Sequence, residues 1–279
     1  MKFTKWSACG NDFVFVNAMN RSIDPIVAEC PAICDRHFGI GADGIIFILP
    51  SDKAALRMRI FNSDGSEAEM CGNGIRAFAL WAYELGLVKE KTFTVETGAG
   101  ILTPSIRDDG TVRVDMGKPH LAAEEIPAEN LGEGPIVRAL LKKDDREEEV
   151  TCVSMGNPHC VIFREEEALL HPEEDGPDLE VDAHFPRKTN VEFAYKRDDG
   201  TIRMRVWERG VGVTLACGTG SCATLAAAVL NGLVDKEADI ILDGGTVHVE
   251  WDREGDGHIF LTGPAKEVFE GIYPMKGEA

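Results

Sequence analysis

The chain has 279 residues, 44% of them hydrophobic, enough to fill the core of one large domain or two medium ones. A formal net charge of -19 excludes nucleic-acid backbones and anionic membrane surfaces as natural partners, because both would repel it. No segment approaches the unbroken apolar length of a membrane span, and the opening "MKFTKWSACGNDFVFVN" is interrupted by Asn11 and Asp12 where a secretory signal would stay apolar, so a cytoplasmic protein is expected.

In chain order, the first strong signal is "EMCGNGIRAF" at 69–78, a cysteine among glycines and an asparagine. The run that follows it, "IRAFALWAYELG", is apolar almost all round and ends at Gly86, which predicts a buried helix closed by a left-handed glycine. The alternating "TFTVET" and "TVRVDM" predict strands. The acidic runs at 144–149 and 165–167 read as solvated faces. A second cysteine, in "ACGTG", precedes "SCATLAAAVLNG", again apolar and again closed by a glycine, Gly232. "DIILDGGTVHVEWD" predicts a hairpin about Gly244 and Gly245.

The two cysteine segments are copies of one unit. Cys71 and Cys217 are 146 residues apart, and in the same register "RMRIFN" falls on "RMRVWE", Asn62 on Glu208, Asn11 on Asn157 and Gly44 on Asn190. The expected fold is therefore α/β (α+β), with two pseudo-symmetric domains that each curl a mixed β-sheet round a central helix. The boundaries predicted are 1–117, with 264–279 packing back on it, and 118–263. Equivalent residues of the two domains would then meet across a cleft.

The first turn of a helix presents unpartnered N–H groups and the positive end of the helix dipole, so it stabilises anions. A cysteine placed there is expected to ionise more readily, from about 8.5 towards neutrality. Flanking glycines let a carboxylate approach the same N–H groups. Two such thiols suit inversion of a stereocentre: one removes a proton from a carbon and the other supplies one to the opposite face. No dinucleotide fingerprint or pyridoxal lysine stands out, so no cofactor and no metal are expected. The remaining cysteines, none in C-x-x-C pairs, read as small buried residues, and Cys9 adds a third thiol beside the Gly10–Asn11 turn.

"GNDF" at 10–13, "RHFGIGADG" at 36–44, "FNSDGSEAEMCGNGIRAF" at 61–78, "SMGNPHCV" at 154–161, "TNVEF" at 189–193 and "ERGVGVTLACGTGSCA" at 208–223 resemble the diaminopimelate epimerases nearly end to end. The resemblance implies a cofactor-independent epimerase that interconverts LL- and meso-diaminopimelate in lysine and cell-wall biosynthesis, usually as a homodimer. It implies Cys71 and Cys217 as the two acid/bases, with His159 and Glu208 adjusting their pKa. It also implies Asn11, Asn62, Gly72, Asn73, Asn157, Asn190, Glu208, Arg209, Gly218 and Thr219 as contacts to the diamino diacid, and Phe269 as a dimer contact. Arg209 suits a carboxylate because its fork binds bidentately. Three features depart from the family pattern: Val213 replaces a glutamate that persists in the first half as Glu67, Gly44 stands where some members carry glutamine, and Cys9 adds its third thiol.

Two rivals remain at this point. A proline or hydroxyproline racemase shares the two-thiol chemistry, although such enzymes typically carry histidine after the first "CG" where this chain has Asn73. A thiol redox sensor, with Cys71 and Cys217 forming a switchable disulfide, belongs to a different class.

Overall fold

The computed structural model describes residues 1–132, 134–143 and 146–275. Asp144 and Asp145 of the acidic run and 276–279 of the tail lie outside the described residues. The chain forms two compact units, Met1–Val114 with Gly263–Ala279, and Asp115–Thr262.

In the first unit the sheet runs in the order Lys266–Ile272, Lys2–Ala8, Asn11–Asn17, Gly44–Leu49, Leu56–Asn62, Val95–Thr97, Gly100–Leu102, with the two-residue strand Glu67–Ala68 pairing beside Leu56–Asn62. Asn11–Asn17 runs parallel to Gly44–Leu49, and Leu56–Asn62 parallel to Val95–Thr97; the other pairs are antiparallel. The helix Gly72–Glu84 packs against Lys2–Ala8, Asn11–Asn17 and Gly44–Leu49, burying Ile75, Phe78 and Trp81.

The second unit repeats this plan. Its sheet runs Ala139–Lys143, Arg146–Ser154, Pro158–Phe163, Asn190–Lys196, Ile202–Glu208, Glu237–Leu242, Gly245–Trp251, Ile259–Gly263, with Gly212–Thr214 pairing beside Ile202–Glu208. The parallel pairs recur at the equivalent places, Pro158–Phe163 with Asn190–Lys196 and Ile202–Glu208 with Glu237–Leu242. Its helix Gly218–Leu230 is buried continuously from Gly220 to Val229, which is why so many positions are alanine: small side chains let the strands wrap it closely.

The 146-residue register predicted from sequence holds at the ends of elements. Gly44 and Asn190 open equivalent strands, Asn62 and Glu208 close equivalent strands, and Cys71 and Cys217 precede equivalent helices. Gly86 and Gly232 adopt the expected left-handed conformation, φ 68° and 70°, where an L side chain would be strained. The hairpin about Gly244 and Gly245 is present, with Leu242 opposite Gly245.

The helix Gly72–Glu84 holds one residue its apolar appearance concealed. Arg76 is fully buried and bonds the Gly72 carbonyl at 2.9 Å and Asn73 Oδ1 at 2.7 Å. The short helices Asp24–Ala28, Cys30–Cys34 and Pro172–Glu180 carry too few periodic turns to have been visible in the sequence.

Candidate active site

Each unit places its cysteine at the N-cap of its central helix. Cys71 has extended backbone (φ −142°, ψ 120°) and Cys217 nearly the same (φ −127°, ψ 115°). Each sulfur accepts a hydrogen bond from the glycine N–H three residues on, Gly74 to Cys71 at 3.4 Å and Gly220 to Cys217 at 3.3 Å. The sulfur thus takes the part that a serine or aspartate oxygen plays in an ordinary N-cap.

Around Cys71, Asn11 Oδ1 is 3.5 Å from the sulfur and 3.5 Å from Asn73 Nδ2. Asn11 is itself oriented by Asp43, whose carboxylate accepts from the Asn11 amide at 2.5 Å and from the Asp12 N–H at 3.0 Å. Arg36 bridges Asp12 and Asp43, and the buried Lys5 also pairs with Asp12 at 2.5 Å. Although burial works against it, the Arg36 and Lys5 hydrogen bonds hold Asp12 below the usual carboxylate range. Arg76 reaches Cys9 Sγ at 3.7 Å; Cys9 sits at φ 52°, and burial pushes its thiol up despite that cation. Asn62 is exposed at the end of its strand and donates to Ser66 Oγ at 3.0 Å.

Around Cys217 the equivalent asparagine is held differently. Asn157 Nδ2 donates to Thr219 Oγ1 at 3.3 Å, and Thr219 Oγ1 is 3.5 Å from the Cys217 sulfur. Asn157 Oδ1 accepts from His159 Nε2 at 3.1 Å, while His159 Nδ1 lies 2.7 Å from Glu192 Oε1. His159 and Glu192 are fully buried. Glu208 accepts from Thr214 Oγ1 at 2.5 Å. Asn190 uses both ends of its amide on backbone, donating to the Pro158 carbonyl at 2.8 Å and accepting from the Arg209 N–H at 2.9 Å, so it shapes the turn that carries Arg209. The exposed Arg209 guanidinium spends one N–H on the Arg187 carbonyl at 3.1 Å and has other donors to offer.

Sequence reasoning passed over Glu192. Its signal was a single carboxylate between the apolar Val191 and Phe193, at a step where the first half has Ile46. Sequence reasoning also expected a readily ionised thiol at each helix start, and Cys217 differs: burial first, then the carboxylates of Glu208 and Glu192, push its thiol well up, outweighing the hydrogen bonds from Thr219 and Gly220. Proximity to a helix start does not offset complete desolvation beside two acids.

The sequence model of the diaminopimelate epimerase family matches residues 3–122 and 151–268. The chain belongs to that family. A diaminopimelate epimerase of Methanococcus maripaludis (strain C6) is 49% identical over 276 residues, covering 97% of this chain and 99% of its own. The fold is shared more widely. A phenazine biosynthesis protein of the PhzF family from Bacillus anthracis superposes with a TM-score of 0.70 at 20% identity, covering 98% of this chain and 99% of the other. A hydroxyproline epimerase from Agrobacterium vitis superposes at 0.64 with 16% identity, covering 97% and 90%.

The departures at Val213 and Gly44 have physical accounts. Glu67 pairs bidentately with Arg59 at 2.6 and 2.7 Å across the small strand pair. Val213 stands at the equivalent place beside Arg205, and Arg205 turns instead to Glu173 at 3.0 Å and Asp243 at 3.2 Å. Gly44 lies against the next strand so closely that a Cβ there would be 2.3 Å from the Phe61 carbonyl oxygen, leaving no room for a side chain.

Proposed function

We propose that this member of the epimerase family interconverts LL- and meso-2,6-diaminopimelate by two-thiol acid/base catalysis, with Cys71 and Cys217 as the catalytic residues and neither metal nor organic cofactor. The observation that carries the reading is the duplicated N-cap cysteine, each sulfur bonded by the N–H three residues into its helix. One thiolate takes the α-proton, and the opposite thiol gives a proton to the other face of the same carbon. In the reverse direction the two exchange roles.

The remaining first-turn N–H groups, at Gly72 with Asn73 and at Gly218 with Thr219, suit the α-carboxylate, whose neighbourhood gains negative charge as the proton leaves. Asn11 and Asn157 add amide groups beside the two sulfurs without adding charge. Asn62 and Glu208 close equivalent strands, where an amide and a carboxylate suit the substrate's ammonium groups. Arg209 takes the distal carboxylate. Glu208 and His159 tune the Cys217 side: burial beside Glu208 and Glu192 favours the thiol, the proton-donating form, at Cys217.

A cytoplasmic homodimer is part of the same proposal. The edge strand Lys266–Ile272 exposes Val268, Phe269 and Ile272, with Phe269 braced edge-on against Phe3 at 5.8 Å. Phe269→Glu is expected to give monomers in sedimentation analysis, and an unchanged dimer would remove this face from the proposal.

Incubation of reduced protein in deuterium oxide with LL-diaminopimelate and, separately, with L-proline tests the reading. The expected result is α-deuteration of diaminopimelate with formation of the meso isomer. Exchange of proline alone would assign the chain to the racemases, and exchange of neither by fully reduced protein would favour a redox role.

A further inference from the structure

The two halves match step for step until the strand residues beside the helix starts. His159 and Glu192 of the second half fall on Phe13 and Ile46 of the first. The correspondence is spatial as well: a Cβ added to Gly74 would lie 2.7 Å from Ile46 Cδ1, and one added to Gly220 would lie 2.7 Å from Glu192 Oε1 and 3.2 Å from Cys217 Sγ. Glu192 and Cys217 therefore flank the same small gap that Ile46 and Cys71 flank in the other half. Two buried hydrocarbon side chains, Phe13 and Ile46, have been exchanged for a buried His–Glu pair beside one thiol only.

That exchange is costly. Glu192 Oε2 has no hydrogen-bond partner among the described residues, and both side chains are fully buried. A half-satisfied carboxylate in a core destabilises unless it serves the site. The first half shows that a plain hydrocarbon packing is available to this fold and that its asparagine can be oriented from the protein surface instead, by Asp43.

We propose that Glu192 is the positioning residue for His159 and, through it, for the Cys217 half of the site. His159 Nε2 faces the Asn157 oxygen and must carry a hydrogen to bond it; Nδ1 faces the Glu192 carboxylate, so a second proton is shared along that contact. Glu192 thereby fixes the orientation of the imidazole so that Nε2 is aimed at the Asn157 oxygen, which turns the Asn157 amide nitrogen to Thr219, the residue beside the Cys217 sulfur. The titratable groups facing Glu192 are His159 on the neighbouring strand, Cys217 at the helix and Glu208 at the end of the strand on the other side; Cys160 lies behind, pairing with Cys152. The second half of the site thus holds a buried, hydrogen-bonded His–Glu pair where the first half has hydrocarbon.

The proposal rests on Cys217 being an acid/base, and its test separates the two. Glu192→Gln is expected to lower kcat on the order of tenfold or more, as loss of the carboxylate behind a working imidazole does elsewhere, with KM changed less than about threefold and the pH profile of kcat altered. Combined with His159→Asn it should cost no more than His159→Asn alone, because both remove one unit. Glu192→Asp should recover part of the lost rate. An unchanged kcat and pH profile in Glu192→Gln, or losses that multiply in the double variant, would overturn it. Should Glu192→Gln fail to fold, nitrogen NMR of wild-type protein labelled at histidine decides: His159 Nε2 bearing hydrogen supports the arrangement, and a bare Nε2 rejects it. Near wild-type turnover by Cys217→Ala would bring down the two-thiol reading and this one together, whereas an inactive Cys217→Ala beside an unaffected Glu192→Gln rejects only the role of Glu192.

Discussion

Cys71 and Cys217 occupy the same N-cap in two copies of one unit, each receiving an N–H from the glycine three residues on. A single thiol can exchange an α-proton on its own face, but inversion needs a donor on the other. Cys71→Ala and Cys217→Ala are each expected to abolish conversion of LL- to meso-diaminopimelate. Cys→Ser should retain at most slow exchange of one isomer, since a hydroxyl is a far weaker acid. Chiral analysis of the product and mass spectrometry in deuterium oxide read both outcomes, and substantial inversion by either alanine variant would end the two-base mechanism.

Gly74 and Gly220 are equivalent, but their neighbours differ in ability to give way. A Cβ at either would meet an atom at 2.7 Å: the flexible tip of Ile46 in the first half, the hydrogen-bonded Glu192 carboxylate in the second. Gly220→Ala should therefore cost about 1–3 kcal/mol, the range for overpacking a dense core, and should reduce turnover. Gly74→Ala should cost less. Urea denaturation of both variants compares them, and equal or reversed losses would contradict the packing argument.

The architecture was legible because backbone geometry repeats wherever its determinants do. "RMRIFN" and "RMRVWE" carry the same alternation, Gly86 and Gly232 stop equivalent helices, and one register places every one of them. What the register concealed is where the halves part company. Glu192 meets His159, 33 residues away in sequence, only because two strands run parallel, a pairing that no local pattern announces. Arg76 is the one cation in a largely apolar helical run, and it is satisfied by Asn73, a carbonyl and the Cys9 sulfur inside the core. The direction of the Cys217 shift depended on desolvation, which a helix-start argument does not contain.

Arg59 with Glu67, against Arg205 with Val213, isolates the role of the glutamate missing from the second half. Its first-half counterpart is an ion-pair partner, and Arg205 already has Glu173 and Asp243. Val213→Glu is expected to change stability by no more than about 1 kcal/mol, as for other partly exposed pairs, and to leave KM for diaminopimelate unchanged. Thermal melting and initial-rate kinetics check both; a shifted KM would show that this position faces substrate after all.

The exposed Arg209 guanidinium is anchored through one N–H, on the Arg187 carbonyl. If its remaining donors grip a carboxylate as a fork, Arg209→Lys should raise KM by roughly tenfold, about 1.4 kcal/mol of binding, with a smaller change in kcat. A KM unaffected by the substitution would remove Arg209 from the substrate contacts.

The upward shift of Cys217 also has a thermodynamic signature. Its folded state holds the thiol proton more tightly than the unfolded chain, where a cysteine ionises near 8.5. The stabilisation is complete below that pH and is lost as pH rises above it, at up to about 1.4 kcal/mol per pH unit for each such group. Cys9 and Cys160 are raised as well and contribute in the same direction. Urea midpoints should therefore fall between pH 8 and pH 10, less steeply in Cys217→Ser. Glu208→Gln removes one of the carboxylates that hold the proton on Cys217 while keeping an oxygen for Thr214. It should make Cys217 alkylate faster at a given pH, read from the labelled peptide by mass spectrometry. Slower or unchanged alkylation would mean that desolvation alone sets the thiol and that Glu208 serves the substrate only.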